Sequence, residues 1–127
     1  MSRSKTSTEQ VDHAVRLQIR VYGPRGRALG PGRIELLEYI EETGSIREAA
    51  ARMEMSYNRA WTLVRSTNEA FDTPLVVATR GGDRRGGARI TAEGKAVIAQ
   101  FRSMEERARR AMEPAWKQLR RRLKPEC

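Results

Sequence analysis

Residues 44–71 read GSIREAAARMEMSYNRAWTLVRSTNEAF, and the helix signals inside this stretch decide the fold. Gly44 is a helix stop and Ser45 a helix start, with Glu48 completing an S-x-x-E capping box. The spacing predicts a short helix over about residues 46–53. Ser56 is the next N-cap candidate, and the helix it opens carries Tyr57, Ala60, Trp61, Val64 and Phe71 on one side. At about 100° per residue, the opposite, polar face centres on Thr62 and includes Asn58, Arg59, Arg65 and Ser66. Trp61 is expected in the core, as a large ring anchoring a small domain. Tyr57 lies at the edge of the apolar stripe and fits either side.

Upstream, Pro31 suits a first helical turn, and Ile34, Leu37 and Ile40 make the apolar stripe of a helix that should run to about Thr43. Before it, Gly23, Pro24, Gly26, Gly30, Pro31 and Gly32 form a connector that carries Arg25 and Arg27. Earlier still, Val15, Leu17, Ile19 and Val21 alternate with Arg16, Gln18, Arg20 and Tyr22, the period of a half-buried strand. Residues 1–12 are polar and rich in Ser and Thr, and are expected to form a disordered tail.

Downstream of Pro74, Leu75-Val76-Val77 and Ala88-Arg89-Ile90-Thr91 read as the strands of a hairpin. Its loop, residues 80–87, is glycine-rich and holds Arg80, Arg84 and Arg85 against Asp83. From Ala92 the composition is helical, and Val97, Phe101, Met104, Ala108, Ala111 and Ala115 recur at alternating steps of four and three, an a/d seam suited to dimerisation. Pro114 predicts a kink or a restart, because its ring clashes with the carbonyl four residues back. Trp116, Leu119 and Leu123 belong to the segment beyond it.

Composition narrows the function. The 127 residues fit one domain plus an arm, here a domain over 13–92 and a dimerisation helix over 93–127. Twenty-five Lys and Arg against 16 Asp and Glu give a net charge of +9, which favours a polyanionic partner. Cys127 is the only cysteine and His13 the only histidine, so no metal site and no Cys/His or Ser/His/Asp set is available, and neither an enzyme nor a cofactor is expected. No stretch approaches the ~20 apolar residues that cross a bilayer, and the expected location is the cytoplasm.

Three short helices, a hairpin and a long helix are the element order of a winged helix-turn-helix, a mainly α fold with a small β-hairpin. In that geometry Asn58, Arg59 and Thr62 face base edges in the major groove. Ser45 and Ser56 offer free helix-end amides to phosphates. Arg65 is either an ion-pair member or a phosphate contact, and Arg80, Arg84 and Arg85 reach sugar-phosphate or a narrow minor groove from the wing.

Gly44-Ser45-Ile46 with Ala49-Ala50, Met55-Ser56-Tyr57, Ala60-Trp61 and Asn68 form the first half of a pattern. Pro74-Leu75-Val76, Gly81-Gly82, Gly86-Gly87-Ala88, Ile90-Thr91 and Gly94 complete it. Together they resemble the N-terminal DNA-binding domain of the ModE family of molybdate-responsive regulators, a winged helix akin to that of LysR-type regulators. The resemblance implies a homodimer whose helices starting at Ser56 and Tyr57 read a palindromic operator in double-stranded DNA, with the helix after Thr91 as its dimerisation element. It covers the DNA-binding part and not the family's molybdate-binding domains, so the expectation is a stand-alone transcriptional regulator, with a separate sensor protein as a further partner. The alternative is a protein-protein adaptor that uses the C-terminal amphipathic helix and has lost DNA binding.

Overall fold

The computed structural model describes residues 13–79 and 87–125. The elements run β1 (Val21–Gly23), β2 (Gly26–Leu29), α1 (Pro31–Thr43), α2 (Ile46–Arg52), α3 (Tyr57–Glu69), β3 (Val76–Thr79), β4 (Gly87–Ile90) and α4 (Ala92–Arg120). The order from α1 to α4 is that of a winged helix-turn-helix with a long C-terminal helix. Expectations for the tail (1–12), for Arg80, Arg84 and Arg85 in the wing loop (80–86), and for Cys127 fall outside the described residues.

Local chemistry sets each boundary. Pro31 occupies the first turn of α1, and Gly44 ends it in the left-handed region (φ 71°), donating its N–H to the Ile40 carbonyl at 2.7 Å. Ser45 Oγ accepts from the Glu48 amide at 3.0 Å. The reciprocal arm of the expected capping box is taken elsewhere: the Ser45 N–H donates to Thr43 Oγ1 at 3.2 Å. Ser56 Oγ caps α3 through the Arg59 amide at 3.0 Å. Thr91 Oγ1 does the same for α4 through the Gly94 amide at 3.0 Å, while donating to the Pro74 carbonyl at 2.9 Å.

The core lies where the three short helices meet the β3–β4 hairpin and the first turns of α4. It is built from Ile34, Leu36, Leu37 and Ile40 of α1, Ala49 and Ala50 of α2, Ala60 and Val64 of α3, and Leu75, Ile90 and Phe101. The alanines of α2 let it approach its neighbours closely. β3 and β4 pair antiparallel from Val76 opposite Ile90 to Thr79 opposite Gly87.

Several expectations are corrected. The alternating run from Val15 to Tyr22 is not one strand: pairing begins only at Val21, and the connector itself supplies β2, turning at Pro24-Arg25 with Gly26 at φ 119°. Trp61 is 41% exposed and not in the core, because the space beneath α3 is filled by Ala60 and Val64. Phe71 lies beyond the end of α3. Phe101 is 1% exposed and packs with half-buried Val97 against this chain's own core, so the part of the proposed seam left open begins at Met104, which is 43% exposed. α4 runs through Pro114 to Arg120 without a restart. Its orientation is fixed by Arg102, whose Nε and Nη2 hold both oxygens of Glu38 on α1 at 2.9 and 2.6 Å. These hydrogen bonds, opposed by partial burial and aided by Glu105, raise the Arg102 pKa.

Candidate nucleic-acid interface

α3 is pinned along one side by Ala60, Val64 and Thr67, all buried. Tyr57, Asn58, Arg59, Thr62 and Arg65 are exposed, so the side chains expected to read bases lie free of the protein's own chain. Thr62 Oγ1 donates to the Asn58 carbonyl at 2.9 Å, which fixes its rotamer and leaves its oxygen outward as an acceptor. Ser56 is exposed and Ser45 half-buried, and both hydroxyls cap their helices. Neither is a free hydrogen-bonding arm, yet each leaves helix-end amides at the surface.

Two exposed aromatics on the wing side of α3 organise arginines. The Arg47 guanidinium lies 4.5 Å from the Tyr57 ring centroid, and that of Arg65 lies 4.7 Å from the Trp61 ring. Tyr57, left open between two roles, is 37% exposed and therefore at the surface. Arg65 forms no ion pair among the described residues, and Trp61 holds it by stacking instead. Between α3 and the hairpin runs a groove of about 280 Å³ lined by Tyr57, Trp61, Val64, Val76 and Ala88.

Asn68 fixes the wing relative to α3. Its Oδ1 accepts from the amides of Leu75 and Val76 at 2.8 and 3.1 Å, and its Nδ2 donates to the Val76 carbonyl at 3.0 Å. The other side of the hairpin is tied to the α1–α2 corner, where the Ala88 N–H donates to the Gly44 carbonyl at 3.0 Å. A Cβ on Gly87 would fall 2.9 Å from that same carbonyl oxygen, so the close approach needs glycine.

Residue-pattern reasoning missed Arg33 and Arg47. Arg33 reaches from α1 to α3, donating through Nη1 to Ser66 Oγ at 2.7 Å and Thr67 Oγ1 at 2.9 Å. Burial, aided by the charges of Arg27 and Arg59, pushes its pKa below the usual guanidinium value. A lone arginine in the first turn of a helix, where an acid is favoured by the dipole, was the available signal.

A helix with a free polar face, braced by a second helix and flanked by an anchored hairpin, defines a DNA-binding winged helix-turn-helix protein. Residues 32–95 match the family described as bacterial regulatory helix-turn-helix protein, lysR family, and the chain belongs to that family. It is 41% identical over 80 residues to the molybdenum transport protein ModE of Azotobacter vinelandii, covering 63% of this chain and 30% of that protein. It is 44% identical over 77 residues to the molybdenum-pterin-binding protein MopA of Rhodobacter capsulatus, covering 61% and 29%. To the DNA-binding transcriptional dual regulator ModE of Escherichia coli K12 it is 35% identical over 71 residues, covering 56% and 27%. The match thus spans about 30% of the length of these relatives. Among the described residues no helix is long and apolar enough to cross a membrane.

Proposed function

We propose that this chain regulates transcription as a homodimer that binds a palindromic operator through α3, acting by binding and not by catalysis. The observation that carries the reading is the exposure of Asn58, Arg59 and Thr62 on a helix whose opposite side is buried. Asn58 pairs with an adenine edge, Arg59 with a guanine edge, and Thr62 accepts a hydrogen bond or meets a thymine methyl. Ser45, Ser56 and Tyr57 mark the helix ends that meet phosphates, and stacked Arg65 joins them. Arg80, Arg84 and Arg85 carry the wing contacts on the ground of sequence alone. The α4 stripe from Met104 through Ala108, Ala111 and Ala115 pairs the protomers.

The names of the relatives connect them with molybdenum transport and molybdenum-pterin binding, and the proposed target genes serve molybdenum handling in the cytoplasm. A separate sensor protein supplies the effector signal in this reading, and is detected as a second protein whose addition changes operator affinity. Footprinting with genome-derived fragments tests the core of the proposal. Protection of half-sites about one helical turn apart, weakening as salt rises, is expected. Equal affinity for every duplex offered would reject sequence-specific regulation.

A further inference from the structure

α3 is flanked on its second side by another basic element. Taking about 100° per residue with Thr62 as origin, Arg65, Trp61 and Tyr57 turn toward the wing, whereas Arg59, Ser66 and Ala70 turn the other way. On that second side a cavity of about 710 Å³ opens between α3 and the β1–β2 hairpin. Arg25 and Arg27 of the hairpin, Arg33 of α1, and Ser66 and Glu69 of α3 line it.

Its charge is unbalanced. Glu69 is the single carboxylate on the wall, and no carboxylate lies within ion-pairing distance of Arg25, Arg27 or Arg33 among the described residues. Arg33 is held rigidly by Ser66 and Thr67, while its Nε is buried without a hydrogen-bond partner. Cations gathered without a counter-charge repel one another, and an anion entering the cavity relieves that repulsion. Burial is the main cause of the lowered pKa of Arg33, and the charges of Arg27 and Arg59 add to it in the same direction. Arg59 belongs to the exposed face of α3, so this positive charge is continuous with the surface that meets DNA.

We propose that Arg25, Arg27 and Arg33 form a phosphate-binding cleft that grips the DNA backbone on the side of α3 opposite the wing, making the β1–β2 hairpin a second arm of the interface. The inference rests on the DNA-binding reading. Ser66 serves as a positioning residue here, fixing the Arg33 fork, and Glu69 limits the affinity of the cleft. Guanidinium groups suit this task because they stay charged and meet two phosphate oxygens at once.

The test measures binding of the full chain to an operator duplex and to a random duplex of equal length over a range of salt. The Arg25→Ala/Arg27→Ala double variant alters two exposed hairpin side chains outside the core, so the fold is retained. It is expected to lose the same factor of affinity on both duplexes and to lower the slope of log affinity against log salt by about one to two, according to the phosphates released. Glu69→Gln is expected to tighten both complexes. A double variant with the wild-type slope on both duplexes, while Arg59→Ala still weakens operator binding, would overturn the cleft and leave the DNA reading intact. Absence of any duplex binding by the wild type would overturn both. A third arm uses inorganic phosphate on the protein without DNA: thermal stabilisation of the wild type alone, with unchanged DNA slopes in the double variant, assigns the cleft to a free oxyanion and also overturns the proposal.

Discussion

Arg59 and Trp61 are near neighbours on α3 with opposite demands on their surroundings. Arg59 is exposed, and its backbone amide is engaged by Ser56, so replacing its side chain removes the proposed base contact and leaves the N-cap whole. Arg59→Ala is expected to weaken operator binding by about 1–3 kcal/mol with little change on random duplex, as a gel-shift competition would show. An equal loss on both would remove Arg59 from the base readers. Trp61 is 41% exposed and Phe101 1% exposed, although ring size alone favours burial of both. Phe101→Ala should therefore destabilise the fold by about 3–5 kcal/mol and Trp61→Ala by less, with urea midpoints giving the order. The reverse order would mean that Trp61 carries core packing. Periodicity put Trp61 in the core and the structure does not, because a helix stripe has an edge. Ala60 and Val64 occupy its centre, and Trp61 at the rim finds Arg65 instead.

The elements were legible wherever their signals are local. Ser45, Ser56 and Gly44 each act on groups within four residues, so the end of α1 and the starts of α2 and α3 follow from the chain itself. The N-terminal segment was not legible, because alternation shows that a stretch has two faces and not which neighbour it pairs with. The glycines and proline that looked like a break form the turn of a hairpin. Nor was the joint between α3 and β3, where Asn68 replaces strand partners for Leu75 and Val76 over eight residues of chain. Asn68→Ala leaves two amides and a carbonyl unpaired there, and a loss on the order of 2–4 kcal/mol is expected by chemical denaturation. Asn68→Asp keeps the acceptor for both amides and should retain part of that stability. The start of α4 shows a second nonlocal constraint: a Cβ on Gly94 would lie 2.5 Å from the Leu75 carbonyl oxygen and 2.7 Å from Ile90 Cγ2. Gly94→Ala, which favours an isolated helix by about 1 kcal/mol, is thus expected to lower the melting temperature.

At the scale of the whole molecule, α4 has two unequal halves. Its first turns belong to the core through Ile98 and Phe101, and Arg102 clamps them to Glu38. Beyond Met104 the same stripe continues as Ala108, Ala111 and Ala115 with less and less of its own chain against it, and Leu119 is 54% exposed. Small residues at such spacing allow two helices to approach closely, and burial of the apolar stripe would favour association in water. A charge at Ala111 tests whether that happens, because Ala111 is exposed within one chain and a glutamate there has no consequence for the monomer's core. Ala111→Glu is expected to leave the melting cooperative and the helix content unchanged while sedimentation shifts from twice the chain mass to the chain mass. Binding to a single half-site should then persist and the added affinity for two half-sites should vanish, since two linked modules gain by effective concentration. A variant that still sediments as a dimer would move the pairing surface off this stripe.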